Sequence, residues 1–476
     1  MAPSDALDWT TFRNTVDGKL ENTKESRHSI NPATGKPGPE VPISSREDVD
    51  RACDAGAAAF KKWSQVPWAE RRKAIEAYTN ALEAEKEGFI QLLTQEQGKP
   101  LQFARVELDM SIQWMRSLAA LEIPGESYPE DNRDVIVRYT PLGVAVGIVP
   151  WNYPILLAAA KIVPCLLTGN TMIVKPSPFT PAGDLKLVEL AQQFFPPGVL
   201  QCLSGDDNLG PWLTAHPVPA KISFTGSTFT GKKVMESASK TLKRVTLELG
   251  GNDPALIFED VDIDDVAQKV ATFSFLNSGQ ICLALKRIFV QESIADKFLQ
   301  ALVKATEQLK VGPGDQPDVF LGPIQNSMQY ERVKGFFSEI EKENWKVAAG
   351  GTNPSGPGYF ITPTIIDRPA DTSRIVTEEP FGPIIPFLTF SSEEDAIAKA
   401  NNTKMGLGAS VWSKDVKRAN RVARQIEAGS VWVNTHFELD PRVSFSGHKE
   451  SGIGSEWGVG GLKSYCNAQA LFLGKE

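Results

Sequence analysis

Apolar residues in the first 120 positions recur at the spacing of amphipathic helices. Positions 49, 53, 57 and 60 are apolar and lie three or four residues apart, which places them on one helical face. Ser44 with Glu47 three positions later predicts a capping box at the start of this helix. A second long helical pattern runs from about residue 68 to 97 and ends at Gly98, which is followed by Lys99 and Pro100.

The pattern changes near residue 143 to short apolar runs of strand length that alternate with helical stretches. The first series of strand-like runs is GVAVGIV, NTMIVK, GVLQCLS, KISF and RVTLEL. A second series begins after Asp253 with PALIFED, KRIFVQE, FGPIIPFLTF, GASVW and GSVWVN. Strands that alternate with helices favour parallel, doubly wound sheets. The sequence therefore predicts the α/β class, with two doubly wound α/β domains.

The segment VIVRY at residues 135–139 is also strand-like. We expect it to form a hairpin with the segment after Leu142, interrupted by Thr140 and Pro141. The changes of pattern near residues 120–142 and near residue 250 predict the seams between domains.

The composition is that of a globular protein with several domains. The chain has 476 residues, of which 41% are hydrophobic and 23% charged. A net charge of -8 without a run of Lys and Arg argues against nucleic acid as a partner. The longest apolar stretch, residues 153–167, contains Lys161 and Pro164 and is too short for a membrane span. No secretory signal is visible, and five scattered cysteines without CxxC spacing indicate a reducing compartment. We therefore expect a cytoplasmic protein.

Cys282, in the stretch NSGQICLALKR, is a candidate nucleophile. A cysteine among apolar residues usually serves packing, and its thiol, with a pKa of about 8.5, is mostly protonated at neutral pH. The nearest histidine in sequence is the distant His216. A reactive Cys282 therefore needs another group to activate it.

Two motifs are typical of nucleotide contacts. Gly226 and Gly231 lie between a predicted strand and helix, where backbone N–H groups bind phosphate, although a simple tight turn has the same pattern. The segment resembles a P-loop, but Lys233 stands after Lys232 where that motif requires Ser or Thr for magnesium. A dinucleotide without a metal is the better hypothesis. Lys175 ends a strand at the edge where ligands collect, or it is merely solvated.

Three further polar positions each have a functional and a structural interpretation. Asn152, in PWNYP, either donates to a developing oxyanion or caps a helix. Glu248, in LELGG, is either a desolvated general base or a surface strand end. Glu379 and Phe381 lie two positions apart, so an extended segment would place them on one side as a nucleotide clamp; alone, they form an acidic turn.

Taken together, the motifs PWNYP, VKPS, FTGST, LELGG, GQIC and EPFGP resemble the aldehyde dehydrogenase superfamily in order and nearly in spacing. The resemblance extends from NPATG near the N-terminus to SGIGSEWG near the C-terminus. It implies an NAD(P)-binding domain with a five-stranded sheet (residues 1–120 and 142–251) and a catalytic domain (residues 252–445). It also implies a small β oligomerisation arm (residues 121–141 and 446–476) in a homodimer or homotetramer.

The resemblance assigns catalytic roles to five residues. Cys282 would attack the aldehyde, the amide of Asn152 and the backbone N–H of Cys282 would hold the oxyanion, and Glu248 would activate water to hydrolyse the thioester. Lys161 and Glu456 match positions that assist proton relay. Acyl transfer to coenzyme A, esterase-type hydrolysis and a purely structural protein are the alternatives. Glu248 favours hydrolysis, and the presence of all three central groups opposes a structural role.

The same resemblance implies contacts with coenzyme and substrate. The matching coenzyme positions are Ile148, Trp151, Lys175, Ser177, Pro178, Gly226, Ser227, Gly231, Leu249, Glu379 and Phe381. The matching positions of the aldehyde tunnel are Tyr153, Leu157, Ala160, Leu276, Ile281, Leu283 and Phe445.

Departures from the family pattern bear on both ligands. Pro178 stands where members that prefer NAD usually carry a glutamate for the adenosine ribose, so NADP or dual use is expected. The tunnel positions are largely apolar, which favours an aliphatic or aromatic aldehyde. No arginine adjoins Lys161 to hold the carboxylate of succinate semialdehyde. No tryptophan stands at Ala160 or Leu276 to cage the trimethylammonium group of betaine aldehyde.

Overall fold

The computed structural model describes residues 7–352 and 356–475. It has the predicted α/β class, with two large sheets that are mostly parallel and a separate three-stranded antiparallel sheet. No helix in the described ranges is long and apolar enough to cross a membrane.

The first large sheet has eight strands, and its central five are parallel. In spatial order the parallel strands are Leu200–Cys202, Thr171–Lys175, Val144–Ile148, Lys221–Thr225 and Arg244–Glu248. They coincide with the five strand-like runs predicted between residues 143 and 248. The antiparallel strands at the edges are Lys19–Glu21 with Asn14–Val16 on one side and Gly452–Ile453 on the other.

The second large sheet has seven strands, all parallel to their neighbours except the first, which is an antiparallel edge strand. The strands in spatial order are Lys346–Ala349, Thr364–Asp367, Ile384–Phe390, Leu285–Gln291, Asp253–Ile257, Gly408–Trp412 and Ser430–Val433. Buried apolar residues pack on its two faces as separate clusters. This arrangement is the second α/β unit that the sequence predicted.

Helices surround the two sheets. The α-helices are Arg46–Trp63, Trp68–Ala84, Lys86–Glu96, Leu101–Ala119, Pro154–Leu167, Pro181–Ala191, Leu209–Ala215, Thr228–Ser239, Ile263–Phe275, Ala295–Glu307, Ser327–Lys342, Arg374–Thr377, Glu393–Asn401, Val416–Ala423 and Gly458–Ser464. Short 3-10 helices span Leu276–Gly279 and Glu292–Ile294. Two small strand pairs are Glu25–Ile30 with Pro37–Ile43 and Met405–Gly406 with His448–Lys449.

Two helix boundaries differ from the sequence prediction. The predicted capping box is wrong by one residue, because Ser45 is the N-cap and exchanges hydrogen bonds with Asp48. The hydroxyl of Ser44 is instead buried and donates to the carbonyl of Ser204 at 2.6 Å. The long helix predicted from residue 68 to 97 is two helices, because Glu85 leaves the helical conformation and serves as the C-cap of one and the N-cap of the next.

The predicted hairpin around Pro141 is wrong. Arg133–Pro141 pairs along its whole length with Cys466–Gly474 and also with Glu126–Pro129, and together they form the three-stranded sheet. Val144–Ile148 is instead a buried central strand of the first large sheet. Within the predicted arm, Gly452–Ile453 pairs with the first large sheet. The domain boundaries themselves stay a prediction.

Candidate active site

The carboxyl ends of the parallel strands in the first sheet open into a cleft of about 1870 Å³. Ligands of open α/β sheets bind at this edge. The predicted site residues that line the cleft are Ile148, Trp151, Asn152, Leu157, Lys175, Ser177, Pro178, Gly226, Ser227, Leu249, Cys282, Glu379 and Phe381. The fold therefore brings most of the predicted coenzyme positions together with two of the predicted catalytic groups.

Cys282 is half-buried, and its thiol lies next to Glu248. The Sγ atom is 3.6 Å from Oε1 of Glu248, and the hydroxyl of Thr225 donates to the other carboxylate oxygen at 3.1 Å. Burial raises the pKa of the Cys282 thiol well above its usual range, and the charge of Glu248 adds to this shift. Burial therefore favours the protonated thiol, with a carboxylate within reach of its proton.

Burial also raises the pKa of Glu248 above its usual range. Lys161 opposes this shift and Glu456 adds to it. A carboxylate with a raised pKa is a stronger base at neutral pH than an exposed one. Glu248 is thus suited to accept a proton from a thiol or from a water molecule.

The loop before Cys282 has an unusual backbone. The preceding helix ends at Phe275, seven residues before Cys282. Asn277 and Ser278 then adopt left-handed conformations, with φ of 51° and 58°. The hydroxyl of Ser278 donates to the carbonyl of Gly322 at 2.7 Å, which helps to hold the loop. Such strained positions in non-glycine residues often occur at functional sites.

The amide of Asn152, which also lines the cleft, is held in place by the loop that precedes Cys282. Its nitrogen Nδ2 donates one hydrogen bond to the carbonyl of Gln280 at 3.0 Å, and the backbone carbonyl of Asn152 accepts from Lys99 at 2.9 Å. An asparagine amide has two N–H donors. Among the described residues only one of them has a partner, so the second remains for a ligand in the cleft.

Sequence analysis missed a buried ion pair that supports Asn152. Lys99 and Glu107 pair with side chains only 1% and 0% exposed. Oε1 of Glu107 accepts from the first backbone N–H groups of the helix Pro154–Leu167, at Ile155 (3.0 Å) and Leu156 (3.3 Å). The sequence contains one hint of this pair, because Glu107 lies on the mostly apolar face of its helix. Lys99, in the GKP segment, indicated only the end of a helix.

Lys161 and Glu456 form a second buried ion pair, with 3.0 Å between Nζ and Oε1. The hydroxyl of Ser223 joins the pair, donating to Glu456 at 2.6 Å and accepting from Lys161 at 3.0 Å. Neither charged residue belongs to the lining of the cleft, but both influence the pKa of Glu248. Their role in proton relay stays a prediction.

The glycine turn lies at the N-terminus of the helix Thr228–Ser239. Ser227 is the N-cap and accepts from the backbone N–H of Thr230 at 3.2 Å. A Cβ atom at Gly231 would lie 2.4 Å from the side chain of Leu249, so glycine permits the close packing there. Gly231 itself does not line the cleft. Because N–H groups at a helix N-terminus attract anions, this turn is suited to phosphate.

Lys175 ends a parallel strand and lines the cleft. Its ammonium donates to the carbonyl of Pro176 at 2.8 Å, and burial lowers its pKa to about 8. Pro178 follows in the cleft wall, and its carbonyl accepts from the guanidinium of Arg27. Asp207 also lines the cleft and is close enough to influence the pKa of Lys175, so charges of both signs are available to a ligand.

Glu379 and Phe381 both line the cleft, although the segment is not extended as the sequence suggested. Phe381 has a left-handed backbone with φ of 48°, and its ring contacts Trp151 edge to face at 5.3 Å. Oε1 of Glu379 accepts from the backbone N–H of Gly251 at 3.2 Å. A Cβ atom at Gly250 would lie 2.4 Å from the other carboxylate oxygen, so a larger residue there would displace the carboxylate of Glu379.

Six of the seven predicted tunnel positions lie outside the described lining of the cleft, where only Leu157 appears. All seven belong to one apolar cluster; the others are Tyr153, Ala160, Leu276, Ile281, Leu283 and Phe445. Phe445 stacks on Trp457 at 4.5 Å, and Trp457 contacts Trp114 at 4.3 Å. Sequence analysis missed these two tryptophans. The only sequence signal was Trp457 beside the predicted relay residue Glu456.

Comparison with known proteins gives concordant results. The model of the aldehyde dehydrogenase family matches residues 20–471. An aldehyde dehydrogenase from a Fusarium species is 39% identical over 98% of this chain and 100% of the relative. The chloroplastic betaine aldehyde dehydrogenase of Amaranthus hypochondriacus is 38% identical over 96% of this chain and 95% of the relative.

The similar solved structures are also aldehyde dehydrogenases. The crystal structure of betaine aldehyde dehydrogenase from Staphylococcus aureus in complex with NAD+ has a TM-score of 0.95 and 32% sequence identity. The match covers 98% of this chain and 95% of that chain. Fold and similarity together define an oxidoreductase that uses NAD or NADP. The chain belongs to the aldehyde dehydrogenase family, and the aldehyde is its substrate.

Proposed function

We propose that this enzyme oxidises an apolar aliphatic or aromatic aldehyde to its carboxylic acid through a covalent thioester on Cys282. The observation that carries the proposal is the 3.6 Å contact between the thiol of Cys282 and the carboxylate of Glu248. The cleft that Cys282 lines also contains the amide of Asn152. A nucleophile, a base and an oxyanion donor are the groups that acyl chemistry requires.

The first step is attack of the Cys282 sulfur on the aldehyde carbon. Glu248 takes the thiol proton as the carbon–sulfur bond forms, because the carboxylate is the neighbouring base. Negative charge then develops on the aldehyde oxygen. The second N–H of Asn152 and the backbone N–H of Cys282 stabilise this charge as preorganised donors.

The cleft has features that fit a dinucleotide. The turn at Ser227 would hold the pyrophosphate, Lys175 and Ser177 would hold the adenosine end, and Glu379 with Phe381 would hold the nicotinamide ribose. The carboxylate of Glu379 packs closely against the backbone of Gly250, which supports a defined position for it beside the nicotinamide ribose. When bound, NAD(P)+ supplies the acceptor for the hydrogen that leaves the aldehyde carbon with its electron pair.

The second step releases the acid. Glu248 first releases the thiol proton to solvent; it then accepts a proton from water, and the oxygen of that water attacks the thioester carbon. The carbon–sulfur bond breaks, Glu248 passes its proton to the leaving sulfur, and Cys282 returns as a thiol. This role of Glu248 favours hydrolysis over acyl transfer to coenzyme A. A faster release of the acyl group with coenzyme A than with water would favour the alternative.

The substrate class rests on the apolar cluster next to Cys282. Ala160 and Leu276 provide no tryptophan for a trimethylammonium cage, although relatives are named betaine aldehyde dehydrogenases. Trp114 and Trp457 belong to the same cluster, so aromatic surface is present at other positions. The aldehyde panel should therefore include betaine aldehyde beside aliphatic, aromatic and carboxylate-bearing aldehydes.

The test of the proposed function is NAD(P)H absorbance with purified protein, each coenzyme and that panel. The expected result is coenzyme reduction with one acid formed per NAD(P)H, and the highest kcat/KM with apolar aldehydes. The absence of coenzyme reduction across the panel would overturn the proposal. A preference for betaine aldehyde would overturn only the substrate class.

Pro178 predicts the coenzyme preference. Proline cannot accept hydrogen bonds from ribose hydroxyls through its side chain, and its neutrality does not repel a 2'-phosphate. We expect use of both coenzymes, and Pro178→Glu should shift the ratio of kcat/KM toward NAD by about tenfold or more, because the carboxylate repels the phosphate. Kinetics with NAD and NADP check this.

The control for that variant is Pro211→Glu, which adds the same charge elsewhere in the cleft lining. If Pro178→Glu leaves the ratio of NAD to NADP unchanged, or if both variants shift it equally, the argument from Pro178 is wrong.

The assembly and location are proposals as well. The three-stranded sheet exposes Tyr128, Phe472 and Leu473, and this apolar surface supports a homodimer or homotetramer built through the arm. A monomer at micromolar concentration in sedimentation would contradict it. All five cysteines are free, which supports a reducing, cytoplasmic location; fractionation that places the protein in an oxidising compartment would contradict that.

A further inference from the structure

Lys286, four residues after Cys282, connects two parts of the cleft. Its ammonium donates to the backbone carbonyl of Cys282 at 2.5 Å, and it lies 3.1 Å from Oε1 of Glu379. The lysine side chain is only 2% exposed. One buried cation therefore contacts both the loop of the proposed nucleophile and the carboxylate of the proposed ribose clamp.

The contacts of Lys286 differ from those of its neighbour Arg287. The guanidinium of Arg287 donates to three backbone carbonyls, those of Asn252, Lys399 and Ala400, and so it ties the second sheet together. Lys286 instead contacts two residues of the candidate active site, Cys282 and Glu379. A buried ammonium is costly unless it is paired and hydrogen-bonded, so these contacts must offset its desolvation.

The charged groups around Lys286 define what the lysine can do. Glu379 is its ion-pair partner. Asp253 also interacts with Lys286. Burial raises the pKa of Asp253 to about 7, and the positive charge of Lys286 partly offsets this increase. The positive charge of Lys286 lowers the pKa of the Cys282 thiol, and so it partly offsets the increase that burial causes. The lysine therefore favours the thiolate form of Cys282.

The contacts of Glu379 show how Lys286 orients that carboxylate. Both Lys286 and the backbone N–H of Gly251 contact Oε1. Within the described chain no donor contacts Oε2, which lies against Gly250. The two contacts thus leave Oε2 as the oxygen available to a ligand hydroxyl.

We propose that Lys286 is a positioning residue that fixes the Cys282 loop and the carboxylate of Glu379 relative to each other, so that the coenzyme ribose and the nucleophile meet in one geometry. The inference rests on the proposed roles of Cys282 and Glu379. Lys286 itself is not proposed to touch the aldehyde or the attacking water. A lysine that served packing alone would affect stability without affecting coenzyme affinity or thiol reactivity.

The experiment compares Lys286→Met with Lys186→Met. Lys186 is a matched control, because its side chain is 1% exposed and pairs with Glu189 at 2.6 Å, but it does not line the cleft. Three quantities are measured for wild type and both variants. They are the dissociation constant of NAD+ by tryptophan fluorescence, the rate of Cys282 alkylation by iodoacetamide against pH, and kcat with an aldehyde of the panel.

We expect Lys286→Met to raise the NAD+ dissociation constant by about tenfold, because an ionic hydrogen bond that orients Glu379 is lost. The alkylation profile should move to higher pH, because the nearby positive charge is gone. kcat should fall by about tenfold or more through misplacement of the reacting groups. Lys186→Met should leave all three quantities within about twofold of wild type, as expected for a site outside the cleft.

The inference is wrong if Lys286→Met leaves coenzyme affinity and the alkylation profile as in Lys186→Met. If Lys286→Met does not fold, Lys286→Gln replaces it, because glutamine keeps one donor for the Cys282 carbonyl and removes the charge. The alkylation profile of Lys286→Gln should also lie at higher pH than that of wild type. A wild-type protein that oxidises no aldehyde would overturn the proposed function, whereas NAD+ binding and alkylation would still decide the role of Lys286.

Discussion

Cys282→Ala should abolish aldehyde-dependent NAD(P)H formation. We expect turnover to fall by at least about a thousandfold, because removal of a covalent nucleophile eliminates the whole reaction path rather than one contact. The coenzyme dissociation constant should change little, since the contacts proposed for the coenzyme lie on other residues. Initial rates of NAD(P)H formation and fluorescence titration measure the two quantities.

The control is Cys466→Ala. Cys466 is a buried cysteine whose thiol donates to the carbonyl of Leu462 at 3.6 Å, and it lies at the start of the last strand rather than in the cleft. Its replacement should preserve turnover within about twofold, as expected for a site remote from the chemistry. Turnover in Cys282→Ala at the level of this control would show that the sulfur of Cys282 is not the nucleophile.

Glu248→Gln should separate acylation from deacylation. Glutamine preserves the shape of the side chain but cannot accept a proton from water. We expect steady-state turnover to fall by about a hundredfold to ten-thousandfold, the range for loss of a general base. The first turnover should remain visible as a burst of NAD(P)H, slower than in wild type because the thiol proton then leaves to water instead of to Glu248. Stopped-flow absorbance measures the burst.

The pH dependence provides a second readout of Glu248. Because burial raises the pKa of this carboxyl group, it is a base only above that raised value. Steady-state turnover of wild type should therefore rise with pH through the pKa of Glu248, and this limb should disappear in Glu248→Gln. Glu450→Gln, which removes a half-buried carboxylate of the cleft lining that pairs with Lys232, should retain the limb. Equal turnover and an unchanged profile in Glu248→Gln would assign the base to another group.

The sequence was sufficient to place several of the candidate site residues at one edge of the first sheet, because they directly follow parallel strands. Lys175 and Glu248 are the last residues of two such strands, and Asn152 follows a third within a few residues. Parallel strands place their carboxyl ends at one edge. Local order along the chain was therefore sufficient to bring these groups together.

Contacts between distant segments could not be predicted in this way. Lys286 belongs to a strand whose pattern indicates an ordinary buried run, and only the fold brings Glu379 to its ammonium. Glu107 reaches the start of the helix that follows Asn152 from a different helix. A single sequence gives the positions of such charges but not their partners.

Competition between local and distant pairing explains the wrong hairpin. The strand Arg133–Pro141 has nine partners in Cys466–Gly474 at the other end of the chain, whereas Val144–Ile148 is completely buried in the first sheet. Pro141 does mark the end of a strand, as the sequence indicated. It did not reveal that the two strands belong to different sheets.

The central claim is that the acyl group is carried by Cys282. The most direct measurement is the mass of the proteolytic peptide that contains Cys282, after Glu248→Gln is mixed with aldehyde and NAD(P)+ and quenched in acid. We expect a peptide heavier by the mass of the aldehyde less two hydrogens, as a thioester requires. An unmodified peptide despite a burst of NAD(P)H, or the same added mass on another residue, would contradict it.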